Sequence, residues 1–145
     1  MPEHGKPVSS LTQTLRWGDM DAYGHANNTV YFRFFEEARV NWLRSMDFNV
    51  EGNNTGPVIV TTGCTFLREL SYPATVTVDV YVGKAGNSSL DTLYTLSDES
   101  GEIKYAEGYA KVVWFDHKTR SSTPLPAELR ALVEEYALAD DGDRA

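Results

Sequence analysis

Between Pro57 and Phe115, extended segments follow one another with no helical period between any two of them. That absence constrains the fold more than any other feature of the chain. Parallel neighbours need a crossover of a dozen or more residues, as a rule a helix, so these strands are expected to run antiparallel. Val76, Val78, Val80 and Val82 alternate with Thr75, Thr77, Asp79 and Tyr81, the clearest strand of the set. Pro57 to Leu70 alternates in part, with Val58, Val60, Thr62, Cys64 and Phe66 on one face. Ser89 to Ser97 and Ile103 to Phe115 complete the set, with turns at Ala85-Gly86-Asn87 and Asp98-Glu99-Ser100-Gly101. In the last strand, Tyr105, Tyr109, Val113 and Phe115 share one face. The other carries Ala106, Gly108 and Ala110 ahead of Val112 and Trp114. Small residues in a row predict that something bulky lies close against that face.

The natural candidate is a long helix over Thr29 to Met46. Tyr31, Phe35, Ala38, Trp42 and Met46 recur at spacings of three and four, with Phe34 widening the stripe. Arg33, Glu36 and Arg44 fall on the opposite side, and Arg33 stands four before Glu37 as a weak surface pair. Asn27 and Asn28 occupy the capping positions. Leu11 to Trp17 reads as a first strand, Asp47 to Gly56 as a turn-rich connection, and Ala127 to Ala137 as a last helix burying Leu129, Leu132, Val133 and Tyr136. The fold class is therefore α+β: one domain over residues 10–138, with residues 1–9 and 139–145 as loose ends. The second face and the edges of such a sheet need covering, which predicts an oligomer.

The chain has 145 residues, 41% of them hydrophobic, enough for a core without staples. Thirteen basic against 21 acidic residues leave a net charge of −8. Such a surface repels phosphate backbones and excludes general nucleic-acid binding, while a local basic patch for one phosphorylated small molecule stays open. The single cysteine, Cys64, can form no internal disulfide, in keeping with a cytoplasmic protein, and lies in a strand where packing is the expected role. No apolar run approaches the roughly 18–20 residues of a membrane helix, and Met1 to Pro7 has no apolar stretch of a secretory signal.

Chemistry concentrates in one loop, Arg16 to Asn28, which holds Asp19, Asp21, His25, Asn27 and Asn28 and runs into the helix. Unpaired N–H groups and the positive end of the helix dipole can bind a carbonyl or an oxyanion there. Asp21 can act as nucleophile or as general base on a water, and His25 can orient it or the substrate. The same residue types also serve turns and caps without any chemistry. A metal at Asp19, Asp21 and His25 finds no second His or Cys at ligand spacing, so neither metal nor cofactor is expected.

Asp-x-Asp-x-x-Gly-His-x-Asn-Asn-x-x-Tyr, from Asp19 to Tyr31, resembles the start of the hotdog-fold acyl-CoA thioesterases of the 4-hydroxybenzoyl-CoA thioesterase type. Phe35-Glu36-Glu37-Ala38-Arg39 continues the match, as do Phe66-Leu67-Arg68-Glu69-Leu70 with Tyr72-Pro73, Ala106-Glu107-Gly108 and Pro124-Leu125-Pro126. The resemblance implies a long central helix wrapped by a curved antiparallel sheet of about five strands, and a homodimer or tetramer with its sites at the interface. It implies an acyl-CoA or acyl-carrier-protein substrate, with Asp21 as the catalytic carboxylate and the backbone N–H of Asn28 polarising the thioester carbonyl. His25 joins the catalytic set, with Tyr23, Asn27, Tyr31, Thr62 and Arg68 as expected substrate contacts. Some relatives place a histidine where this chain has Asn28, which leaves open whether Asp21 attacks directly or activates water. The alternatives are a hotdog enoyl-CoA hydratase or dehydratase using Asp21 and His25, and an acyl-thioester-binding protein without turnover.

Overall fold

The computed structural model describes residues 5–48 and 54–137. The elements are β1 (Ser9–Thr14), α1 (Asn28–Ser45), β2 (Thr55–Phe66), β3 (Thr75–Ala85), β4 (Ser89–Asp98), β5 (Lys104–Asp116), β6 (Ser121–Ser122) and α2 (Ala127–Tyr136). The strands form one antiparallel sheet in the order β1-β3-β4-β5-β2, with the short β6 added to β5. This is the α+β hotdog architecture, with α1 laid on one face of the sheet. No described helix is long and apolar enough to cross a membrane.

The alternating valines face inward as expected: Val76, Val78, Val80 and Val82 are all fully buried. From α1, Tyr31, Phe34, Phe35, Ala38 and Trp42 meet them. The small-residue face of β5 permits this approach. A Cβ added at Gly108 would stand 2.4 Å from a ring carbon of Phe35, so only glycine lets the helix sit at this depth. Phe35 stacks on Tyr94 at 5.1 Å, and the Tyr94 hydroxyl is satisfied by Thr92 at 2.6 Å and Arg39 at 3.0 Å. The Tyr94 hydroxyl is thus paired, whereas the buried Trp42 indole N–H has no hydrogen-bond partner among the described residues. From α2, Leu129 and Val133 are buried, with Leu132 and Tyr136 partly so.

Four expectations need correction. The partial alternation in β2 does not lie on one face, because a β-bulge between Ile59 and Thr61 shifts the register. Ile59 pairs with Val112 and Thr62 with Ala110, so Ile59, Thr62, Cys64 and Phe66 share the inner face and Val58 does not. The first strand ends at Thr14 rather than Trp17, since Trp17–Asp19 forms a 3-10 turn closed by the Asp19 carboxylate. The same strand begins inside the stretch expected to be loose. Val8 packs on the core and its N–H donates to Val80 at 2.7 Å. Arg33, placed on the surface with Glu37, reaches back to Asp19 instead. The tail 139–145 and Gly52 and Asn53 of the connection lie outside the described residues.

Candidate active site

Asp19 anchors the loop. Its side chain is only 4% exposed, and Oδ1 accepts from Arg33 at 2.7 Å and Arg16 at 3.2 Å, while Oδ2 accepts the Arg16 N–H at 2.8 Å. Burial alone would raise this carboxyl's pKa; the Arg16 hydrogen bonds and the Arg33 charge outweigh it and hold it below the ordinary value. The Asp19 carbonyl also takes the Asn27 N–H at 2.9 Å, tying the loop's start to the helix entry.

Asp21 opens a tight turn in the middle. Its N–H donates to His25 at 2.8 Å, and Gly24 N–H returns to the Asp21 carbonyl at 3.1 Å. Gly24 sits at φ 84°, a conformation glycine adopts without steric cost. The Asp21 carboxylate bends over its own backbone: Oδ1 accepts N–H groups from Tyr23 at 2.9 Å and His25 at 3.3 Å. Oδ2 has no hydrogen bond among the described residues. The 20–26 loop is then stitched to the segment after β2. Ala26 N–H donates to Leu70 at 2.7 Å, and the Ser71 hydroxyl to Gly24 at 3.0 Å.

The helix start follows. Asn27 is the N-cap, its Oδ1 accepting from the Thr29 N–H at 3.0 Å. Asn28 is the first helical residue, and its N–H has no partner among the described residues. It lines a cavity of about 260 Å³ with Asp21, His25, Ala26, Tyr31, Phe66, Leu67, Arg68 and Glu69. Tyr31 and Phe66 meet edge to face at 4.8 Å to form its apolar wall. Burial first, then the neighbouring Cys64, Asp21 and Glu69, push the Tyr31 hydroxyl above its ordinary pKa. Burial likewise pushes the Cys64 thiol up to about 11, which leaves it protonated and unreactive at neutral pH.

Five of the expected site residues thus meet in one cavity: Asp21, His25, Asn28, Tyr31 and Arg68. Three do not. Tyr23 projects into solvent at 84% exposure. The Asn27 side chain is committed to the cap. Thr62 lines a separate groove with Thr29, Phe32, Arg33, Phe35, Glu36, Arg39 and Ile59, and its hydroxyl donates to Tyr109 at 2.8 Å. Two contributors escaped the sequence reading. Arg33 secures Asp19, and the Glu69 carboxylate lies 3.2 Å from His25 Nε2. Both contacts join residues far apart in sequence, and no spacing rule reports them.

The sequence model of the thioesterase-like superfamily matches residues 15–133. The chain belongs to that superfamily. The reaction class that goes with it is thioester hydrolysis. Escherichia coli FadM, a long-chain acyl-CoA thioesterase, is 30% identical over 125 residues, covering 83% of this chain and 93% of FadM. Bacillus subtilis YsmA, uncharacterized, is 28% identical over 89 residues, and the match spans 61% of this chain and 60% of YsmA's length. Among solved structures, the Pseudomonas aeruginosa protein PA2801, a candidate thioesterase, superposes with a TM-score of 0.85 at 40% identity, over 88% of this chain and 99% of that one. The Asp21 loop falls within the span matched by the superfamily, as does every other residue of the cavity.

Proposed function

We propose that this protein hydrolyses acyl-CoA thioesters, with Asp21 as the reacting carboxylate and the Asn28 N–H as oxyanion donor. One observation carries this reading: Asp21 and Asn28 line the same cavity, and neither Asp21 Oδ2 nor the Asn28 N–H has a hydrogen bond among the described residues. The Asn28 N–H polarises the thioester carbonyl and receives the charge that develops on its oxygen, helped by the dipole of α1. Asp21 Oδ2 attacks the carbonyl carbon or takes a proton from the water that does. The tetrahedral intermediate expels the CoA thiolate, a good leaving group that needs no strong general acid. On the direct route the departing thiolate leaves an acyl–Asp21 anhydride, which water opens to release the acid and restore the carboxylate. On either route one water is consumed and the thiolate gains the remaining proton. His25, beside Glu69, lies on the rim of the same cavity and orients the incoming thioester. Arg68 lines the same cavity and supplies a cation for the CoA phosphates on this reading. FadM acts on acyl-CoA, which supports the choice of substrate class. β2 is an edge of the sheet with Val60 at 55% and Phe66 at 43% exposure, an edge suited to pairing with a second copy in a homodimer or a tetramer built from it.

Asn28→Pro is the sharpest test. Proline is favoured at the first helical position, and Asn27, at φ −61° and ψ 141°, already has the conformation a following proline requires. The substitution removes the N–H and leaves the helix. Thiol release from acyl-CoA is expected to fall about 10²–10³-fold with the melting temperature unchanged. Undiminished turnover would remove Asn28 from the mechanism. Turnover in ¹⁸O-water identifies direct attack when label enters the Asp21 carboxylate, because that requires an acyl–Asp21 anhydride opened by water on the Asp21 side.

A further inference from the structure

Asp21 forms a wall of two cavities, not one. Beyond the cavity that holds Asn28 and Arg68, a second of about 660 Å³ is lined by Trp17, Met20, Asp21, Ala22, Gly24 and Tyr72. Trp17 is 75% exposed and Tyr72 44%, and their rings meet edge to face at 5.7 Å. The Met20 sulfur accepts the Tyr72 N–H at 3.4 Å, so the two walls are fixed to each other. Large aromatic side chains held open to solvent beside a reactive carboxylate mark a surface awaiting an apolar ligand.

Resting on the acyl-CoA reading above, we propose that Trp17, Met20 and Tyr72 form the acyl subsite, selecting thioesters with long aliphatic or aromatic acyl groups. A thioester has two arms of opposite chemistry meeting at its carbonyl, and Asp21 stands where the two cavities meet. The arm bearing phosphates belongs on the Arg68 side. The Trp17 cavity has no cation in its lining, and its one charged side chain is Asp21, which would repel phosphate. The apolar arm therefore lies against Trp17 and Tyr72. The groove beside Thr62 is the competing location, but it holds Arg33, Glu36 and Arg39 and touches neither Asp21 nor Asn28.

Two measurements test this. In the first, kcat/KM is followed from acetyl- to dodecanoyl-CoA and for benzoyl-CoA, in wild type, Trp17→Ala, Trp17→Phe and Tyr72→Ala. Wild type is expected to gain up to about fourfold per methylene until the cavity is filled. In Trp17→Ala and Tyr72→Ala the dodecanoyl-to-acetyl ratio falls tenfold or more, and Trp17→Phe restores most of it. Ratios unchanged in both alanine variants overturn the subsite, as does a change in oligomeric state without a change in ratio. The second measurement needs no turnover. Trp42 and Trp114 are 2% and 4% exposed, so a ligand in this cavity reaches Trp17 alone. A dodecyl-CoA thioether is expected to quench Trp17 emission saturably, CoA alone is not, and Trp17→Phe loses the response. Equal quenching by CoA, or none by the thioether, overturns the subsite. Saturable quenching in a protein that hydrolyses no acyl-CoA upholds the subsite and overturns the catalytic reading instead.

Discussion

Asp19 and Asp21 stand two residues apart on one loop, and their surroundings divide the work between them. Asp19 is sealed, with both oxygens taken by Arg16 and Arg33. Asp21 is part-buried and lines a cavity, with one oxygen held by backbone N–H groups and the other without a hydrogen bond among the described residues. A carboxylate whose lone pairs are all committed can hold a structure but cannot attack or take a proton. One held on a single oxygen is oriented and still able to react. The same split recurs at the next pair, where the Asn27 side chain caps the helix and Asn28 offers an idle N–H. On the proposed function, rigid and reactive groups alternate along one short segment, each rigid one fixing the position of its reactive neighbour.

The largest predicted effect tests the reactive half. Asp21→Asn keeps an Oδ1 that can still accept the Tyr23 and His25 N–H groups, so the turn should persist. Thiol release should fall about 10²–10⁴-fold, with circular dichroism and melting temperature unchanged. Parallel loss of activity and stability would erase the distinction between the two aspartates.

Asp19→Asn should invert that pattern. Breaking a buried ion pair from one side costs roughly 3–5 kcal/mol; here about 2–3 kcal/mol is expected, since Arg16 and Arg33 are 68% and 35% exposed and keep contact with water. That corresponds to a melting temperature about 5–10 °C lower. Turnover per folded molecule should fall far less than in Asp21→Asn. If differential scanning calorimetry shows no change while kcat collapses, Asp19 acts in catalysis and not in support.

The sequence showed much of this arrangement and missed a definable remainder. The valine alternation of β3, the helix stripe from Tyr31 to Trp42 and the small face at Gly108 were legible because each is a local period with one dominant cause, burial. Asp21, His25 and Asn28 were legible because a motif places them in one stretch. The inner face of β2 was misread because a bulge near Val60 breaks the period without altering the composition. The partners of Asp19 and His25 were hidden because a helix residue, Arg33, and a loop residue, Glu69, reach them through the fold. Trp17 was assigned to a strand, and only the turn closed by Asp19 turns it outward beside Asp21.

Acid sharpens the contrast further. Asp19 has a folded pKa below its unfolded value of about 3.9, so its contribution is complete above that value and is lost as pH falls through the folded one. Asp98, held by the Ile103 and Ser100 hydrogen bonds, is depressed as well and shares the acid limb of the curve. Urea midpoints should therefore drop between pH 5 and pH 3 in the wild type and drop less steeply in Asp19→Asn. The difference between the two slopes isolates Asp19, because Asp98 is common to both proteins. Equal slopes would mean that Asp19 titrates alike in folded and unfolded chains.

The smallest effects distinguish the asparagines. Asn27→Ala removes the oxygen that accepts the Thr29 N–H and should cost about 1 kcal/mol, a fall of roughly 2–4 °C in melting temperature. Asn28→Ala leaves the backbone N–H in place and touches no hydrogen bond among the described residues, so stability and kcat should both stay within about twofold of wild type. The adjacent pair then behaves as the two aspartates do: a side chain that supports beside a group that reacts. In the second case the proposed reacting group belongs to the backbone, so alanine cannot remove it and proline can. A large loss of kcat in Asn28→Ala would assign the chemistry to the Asn28 amide side chain and break the parallel.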